Sequence, residues 1–322
     1  MRVSLILITI FFITSLFGQD EYYSPHNRDK VNNEHLLKVK WENDVFLQTD
    51  RYYTNGVEIE YYTPWLKNIQ LTKLLFVPFV NSQPHYSFTL THHIFTPRNV
   101  WGDPNPTDRP YAGYLMFGIK STHFDNYRKF RWSSELQLGL LGKYSGGELV
   151  QNGVHLVLPT SEPIPGWDYQ IKNDFCLNYS IALEKELFND FKESWLELDA
   201  LGTARVGTPY TDLSGGIRIR AGRNGNYYSP DHLFDKRLKY LYFFSELRFN
   251  MMFYDASLQG GYFAINNAHT IKNINTFLTD LNIGFAYKWK GLSLQTGVRM
   301  LSPKFQGALS HKWVYFTIGG AF

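Results

Sequence analysis

Residues 314–322 read VYFTIGGAF. Val314, Phe316, Ile318, Gly320 and Phe322 form one face that stays apolar to the last residue, and Tyr315, Thr317 and Ala321 form the other. A period of two marks an extended strand whose faces meet different surroundings. The same period runs upstream. Tyr86, Phe88, Leu90 and Ile94 alternate with His85, Ser87, Thr89, Thr91 and His93. Phe130, Trp132, Leu136, Leu138 and Leu140 alternate with Arg131, Ser133, Glu135 and Gln137. Phe175, Leu177, Tyr179, Ile181 and Leu183 stand against Asn178, Ser180 and Glu184, and Leu213, Ile217, Ile219 and Ala221 against Arg218 and Arg220. Charge at alternate positions argues against a sandwich core. Alternation alone fits two barrels, one soluble with an apolar interior and one lipid-facing with a polar interior.

The start of the chain favours the second. Met1-Arg2 gives a short positive region, Val3 to Leu16 is almost unbroken apolar sequence, and Gly18-Gln19-Asp20 is a plausible cleavage junction. Residues 1–19 are therefore expected to be a cleaved signal peptide. The apolar run is shorter than the roughly 20 residues a membrane-crossing helix needs. A terminal aromatic on a last strand resembles the assembly signal of bacterial outer-membrane barrels. Combined with an export signal, it predicts an all-β fold: a closed antiparallel transmembrane β-barrel in the bacterial outer membrane. Closure follows because backbone polar groups in hydrocarbon must all be paired.

Composition agrees. Aromatic residues reach 17%, high for a soluble enzyme of 322 residues. The net charge is only +3 and the charges are dispersed, so nucleic acid is not an expected partner. Cys176 stands alone, which excludes an internal disulfide framework and a CxxC metal site. Strands are expected near 36–47, 52–63, 85–96, 110–124, 129–143, 173–187, 194–206, 211–223, 238–254, 275–288, 291–302 and 311–322. That is about twelve, an even number as single-chain bacterial barrels have. Residues 20–322 read as one domain, with 255–275 either a long loop or a strand extension. Trp41, Trp65, Trp101, Trp132 and Trp313 are expected in the interfacial aromatic girdle.

With the first strand running outward, the connections after strands one, three and five share the outer rim. Those connections carry the unusual sequences: END at 42–44 with TDRYYTNG at 49–56, TPRN at 96–99 with DRPYAG at 108–113, and QNGVH at 151–155 with GWDYQ at 166–170. At these residues, in this order, the chain resembles the outer-membrane lipid A deacylase family. The resemblance covers the first half; the second half is only barrel-like. It implies a twelve-stranded barrel, lipid A or lipopolysaccharide as substrate, and Ca²⁺-dependent hydrolysis of the 3'-linked acyloxyacyl ester at the outer leaflet.

Residue chemistry can be read beside that resemblance. Residues 146–157 are expected to form a short helix in the extracellular loop, which puts Gln151 and His155 on one face at i and i+4. A rim histidine with an unperturbed pKa near ~6.5 can take a proton from water and return it to a leaving alkoxide. A lone loop histidine more often only bonds backbone; the surrounding motif shifts the reading to a base. Asp44 shares parity with Lys38, Lys40 and Glu42, and Thr54 with Glu58 and Glu60, so both are expected to face the lumen. The resemblance assigns Asp44 and Glu162 to the metal and Asn43 and Thr54 to the polar site. Here the spacing departs from the family: Glu162 fits counted back from Trp167, Ser161 counted forward from His155. Chemistry favours Glu162, because calcium takes carboxylate oxygens. The bland alternative is that Asn43-Asp44 and Thr54-Asn55-Gly56 only shape strand ends. Arg51, Arg98 and Arg109 read as surface charges or phosphate contacts and stay outside the catalytic set.

Two other classes compete. A porin-like barrel shares the export signal and the strands, yet lumen-facing charges leave little room for a wide channel. A serine-type lipid hydrolase would use Ser145 or Ser161 near His155, although neither lies in a recognised nucleophile motif.

Overall fold

A computed structural model describes residues 35–47, 49, 51–77, 83–101, 105–157, 164–189, 195–264 and 269–322, with the backbone alone at 154–157 and 189. The expected signal peptide, Ser161 and Glu162 lie outside the described residues. Twelve antiparallel strands close into a barrel. They are β1 (Leu36–Asn43), β2 (Tyr52–Tyr62), β3 (His85–Thr96), β4 (Ala112–Asp125), β5 (Phe130–Leu141), β6 (Asp174–Asn189), β7 (Leu196–Gly207), β8 (Tyr210–Arg223), β9 (Tyr240–Asp255), β10 (Phe277–Trp289), β11 (Leu292–Leu301) and β12 (His311–Ala321). Each pairs with its sequence neighbour, and β1 pairs with β12 from Leu36↔Ala321 to Asn43↔Val314. The helices among the described residues are short, and none is long and apolar enough to cross a membrane. Three are α-helical: α1 (Gly147–Val157), α2 (Asp231–Phe234) and α3 (Ala256–Gln259).

Leu36 at the start of β1 and Ala321 at the end of β12 lie at one rim with the connections 63–84, 126–129, 190–195, 224–239 and 290–291. The opposite rim carries the longest connection, 142–173, as the extracellular end of such barrels does. We call these the inner and outer rims. The uncertain stretch 255–275 is a loop of the outer rim opening with α3, rather than a longer β9.

Alternation sorts the side chains. On β1, Leu37, Val39 and Trp41 are exposed on the outer wall, while Lys38, Lys40 and Glu42 point inward. The lumen is filled by ion pairs. Glu60 is bound by Lys120 at 2.9 Å, and Glu42 by Lys40 at 3.0 Å. Farther toward the inner rim, the buried Asp199 accepts from Arg218 Nε (2.9 Å) and from Arg220 Nε and Nη2 (both 3.0 Å). Arg220 also meets Glu197 and Arg218 meets Glu184, each at 2.6 Å. The inner-rim connection 224–239 folds up into this end of the lumen: Tyr228 Oη donates to Asp199, Tyr227 Oη to Glu184, and Phe234 of α2 packs edge-on against Tyr62. Lys288 Nζ donates to the carbonyls of His232 and Leu233, both at 2.8 Å.

The tryptophan girdle is only partly as expected. Trp41, Trp65 and Trp101 are exposed. Trp313 is buried inside the lumen, its indole N–H donating to Glu42 Oε1 at 2.9 Å. Trp132 is buried too, because Phe76 of the 63–84 connection covers it with ring centroids 5.2 Å apart. That connection lies over the wall, where Leu66 and Leu75 pack on Ile119 and Phe76 N–H donates to Tyr179 Oη.

The Asp199 network gives a stability prediction. Asp199→Ala leaves two buried guanidinium groups short of a carboxylate and is expected to cost about 3–5 kcal/mol. Tyr228→Phe, which removes one hydrogen bond to a charged group, is expected to cost about 1.5–3 kcal/mol. Urea unfolding of the detergent-solubilised barrel checks both; equal midpoints for wild type and Asp199→Ala would show that the network adds nothing.

Candidate active site

Residues from each of the outer-rim motifs stand on the outside of the wall, while Glu42, Tyr53 and Arg109 of the same motifs point to the lumen. Asn43 pairs in register with Asn55, and Asn55 with Ile94. This row belongs to the outer face, since Trp41 Nε1 donates to Asn55 Oδ1 at 3.1 Å. Lumen parity fails for Thr54 because the β2–β3 register steps from Tyr53↔Phe95 to Asn55↔Ile94, leaving Thr54 as a bulge. Tyr53 remains inward and donates to Glu42 at 2.7 Å, whereas Thr54 turns outward to Thr96, with the hydroxyl oxygens 2.6 Å apart. Thr54 is buried nonetheless, as are Ile94 and Thr96.

Tyr52, at the start of β2, has a positive φ of 62°, uncommon for an aromatic residue. Its ring is held edge-on by Phe305 and His311, and Leu309 N–H donates to its hydroxyl at 3.2 Å. Asp44 is not an inward strand residue either. It lies just past β1, buried, and its Oδ2 accepts from Thr49 Oγ1 (2.9 Å) and Arg51 N–H (3.0 Å), gathering the 45–51 loop around it. Asn43 Oδ1 accepts from Val45 N–H at 2.7 Å. Asn43 and Asp44 thus both hold the turn that follows β1, and Asn43 keeps its place in the outer row.

The cover over this face comes from the other two motifs. Val100, Tyr111, Ile164 and Trp167 bury Ile94 in one apolar cluster. The helix α1 packs on β3 and β4. Its approach is close: a Cβ on Gly113 of β4 would lie 3.3 Å from Gly147 Cα and 2.5 Å from Ser145 Oγ. Gln151 is buried beneath this cover, and Trp167 Nε1 donates to its Oε1 at 3.0 Å. Asn152 Oδ1 accepts from Ile164 N–H at 2.9 Å, tying the helix to the returning chain. His155 lies one turn beyond Gln151 on α1, as expected; its side chain is outside the described residues. Ser145 is a structural residue: it is buried, and its hydroxyl donates to Gly142 carbonyl at 2.6 Å in the turn before α1.

The donor atoms at this face are oxygens, from Asp44, Asn43, Thr54 and Gln151, a set that suits a hard cation such as calcium. Among the described residues, the only trio of His, Cys, Asp and Glu with ligand atoms within 4.8 Å is elsewhere, at Glu42, Glu58 and His93 in the lumen. Lys40 already neutralises that trio, 3.0 Å from Glu42 and 3.4 Å from Glu58. Exposed apolar side chains occur around the outer face, Val45 and Phe46 beside Asp44, Leu149 on α1 and Tyr169 beyond Trp167, among exposed polar ones such as Arg98 and Asp168.

With this geometry in view, comparison with known proteins is informative. The sequence model of one protein family, described as Outer membrane protein LpxR, matches residues 5–320. The chain belongs to the LpxR family. It is thus a bacterial outer-membrane protein, as its closed barrel and export-type sequence lead one to expect. Among solved structures, LpxR from Salmonella typhimurium is similar at a TM-score of 0.71 and 16% identity, over 88% of this chain and 99% of that one. The β-domain of the Bordetella autotransporter BrkA gives a TM-score of 0.45 at 10% identity, over 90% of this chain and 98% of that one. No curated protein sequence matches the chain.

Sequence reasoning missed the partners that hold the site: Thr96 for Thr54, Trp167 for Gln151 and Asn152 for the returning loop. GWDYQ was visible as a motif, but nothing local linked its tryptophan to a glutamine 16 residues earlier. The Gln151–Trp167 bond is testable. Trp167→Phe strands a buried acceptor at a cost of about 1–3 kcal/mol. Limited proteolysis should then cut residues 142–173 faster while the heat-dependent gel shift of the barrel is unchanged; unaltered cleavage would show that the bond does not hold the cover.

Proposed function

We propose that this LpxR-family protein is a calcium-dependent hydrolase that removes the 3'-linked acyloxyacyl chain from lipid A at the outer leaflet, with His155 activating the attacking water. The observation that carries the reading is that Asn43 and the bulged Thr54 stand on the outer side of the wall beside Ile94. Val100, Tyr111, Ile164 and Trp167 cover Ile94, Gln151 is bound to that Trp167, and Val45, Phe46, Leu149 and Tyr169 are exposed on the neighbouring loop segments. A lipid ester held in the outer leaflet reaches such a face by moving sideways, without leaving the hydrocarbon.

Each residue then has a role that its chemistry allows. His155, one helical turn from Gln151, accepts the proton of water at Nδ1 or Nε2 and delivers it to the departing alkoxide oxygen. Gln151 is fixed by Trp167, which leaves its amide N–H₂ to orient the water or the ester. The Thr54 hydroxyl, bulged outward against Thr96, is the donor suited to a carbonyl oxygen that gains charge. Asn43 continues the polar row of the wall. Asp44 and Glu162 would hold the calcium ion, and bound calcium supplies Lewis-acid stabilisation of that developing charge. Every other step belongs to side chains of this protein.

A porin reading finds no support in a lumen crossed by the Glu60–Lys120 and Asp199–Arg220 pairs. The serine reading loses Ser145 to its turn.

The decisive experiment is mass spectrometry of lipid A from cells with and without the protein, with a matched loss of 3'-linked acyloxyacyl chain expected only when it is present. His155→Gln, which keeps a polar side chain but moves no proton, should lower the rate by about 10² to 10⁴ with the heat-dependent gel shift intact. Near-wild-type turnover by that variant would remove His155 from the mechanism. Chelation should abolish hydrolysis, added Ca²⁺ should restore it and Mg²⁺ should serve poorly, since it demands tighter octahedral geometry. Asp44→Asn should raise the calcium requirement, and undiminished activity in excess chelator would refute the metal assignment.

A further inference from the structure

The lumen side of the same rim holds a second feature. A cavity of about 220 Å³ occupies the outer end of the lumen, roofed by Lys304, Phe305 and Ala308 of the 302–310 connection. Its volume equals about seven waters at roughly 30 Å³ each, the scale of one ring-sized polar ligand. The walls are aromatic, with Tyr52, Tyr53, Phe95, Tyr114, Tyr210 and Trp313 lining it. Such side chains offer an apolar ring face together with a polar edge.

Each lysine or arginine lining this cavity has a carboxylate partner with one exception. Arg205 makes three hydrogen bonds to Asp212, Arg299 pairs with Asp280 and Lys304 binds Asp255 at 2.8 Å, while the two carboxylates of Glu42 and Glu58 share the single Lys40. Among the described residues lining the cavity, Arg109 is the lysine or arginine with no carboxylate within 4.0 Å. It is 3% exposed, comes from the DRPYAG motif, and makes one side-chain hydrogen bond, Nη2 to Ser257 Oγ at 2.9 Å. Its guanidinium carbon lies 4.3 Å from the centre of the Phe95 ring, and its buried Nε–H has no acceptor. Asp255 reaches it only through Ser257, whose hydroxyl donates to Asp255 Oδ1 at 2.6 Å. Burial holds this guanidinium below its ordinary pKa, partly offset by Asp255 and Tyr210. A buried cation without a close counter-ion is costly, and an anion that reached it would relieve that cost.

We propose that this cavity binds an anionic saccharide, with Arg109 taking the carboxylate or phosphate and the tyrosine and tryptophan rings packing on the sugar ring. The site lies on the opposite side of the wall from the candidate ester site, and the proposal does not rest on the hydrolase reading. Carboxylate, which is planar, and phosphate, which is tetrahedral, each present a pair of oxygen acceptors that matches the guanidinium fork.

Calorimetric titration of the detergent-solubilised full chain tests it with four probes: glucuronate, glucose 1-phosphate, glucose and inorganic phosphate. Saturable binding of one or both sugar acids is expected, at least tenfold tighter than glucose or phosphate; which of the two binds identifies the anion. Arg109→Gln removes the charge, and Ala308→Trp fills the cavity while leaving every charge in place. Each should weaken sugar-acid binding at least tenfold in protein that retains its heat-dependent gel shift. Absence of saturable binding by wild type, equal binding of glucose or of inorganic phosphate, or unchanged affinity in a folded variant would overturn the proposal. The four-probe comparison on wild type decides the matter even where a variant does not fold.

Discussion

Everything in this structure depends on pairing the backbone where no water can reach it. A strand edge left open in hydrocarbon costs several kcal/mol for each unpaired group. The eight residues of β1 meet this demand against β12 on one side and β2 on the other, and the sheet has no edge left. Once closed, the barrel must give each strand a lipid face and a lumen face. Period two is the direct record of that division, which is why Lys38, Lys40 and Glu42 can alternate with Leu37, Val39 and Trp41 in so short a strand.

Most of the barrel was therefore legible in the sequence. β3 spans 85–96 as expected, and the other expected strands have their counterparts in order, with ends that differ by a few residues. The largest shortfall is β1, which stops at Asn43 rather than 47 because Asp44 and Asn43 accept hydrogen bonds from the turn that follows. Where parity failed, the cause was equally local. One bulged residue, Thr54, reverses the face assigned to everything before it in β2. A count of alternating residues carries no mark of such an insertion.

The candidate site was less legible, for a different reason. The chemistry of Asp44, Thr54, Gln151 and His155 is written in their side chains, and the helix carrying the last two could be read from its residues. That the outer wall would be roofed is not so written. Ile94 and Thr96 look like ordinary lipid-facing strand residues, yet both are buried, Ile94 because Val100, Tyr111, Ile164 and Trp167 return to cover it. Tertiary contacts among three connections decide this, and so they also decide which side of the wall the polar residues serve. Trp132 and Trp313 were misjudged in the same way, one hidden by Phe76 and the other turned to Glu42.

The inner-rim connection that folds up to Asp199 has a bearing on the cell as a whole. An outer membrane is a permeability barrier, and an open barrel adds a leak with every copy inserted. Here Tyr227, Tyr228 and α2 occupy the inner end of the lumen, and the ion pairs around Arg218 and Arg220 leave the charges there already neutralised for one another. Each copy inserted therefore adds little passage through its lumen, whatever takes place on the barrel's outer face.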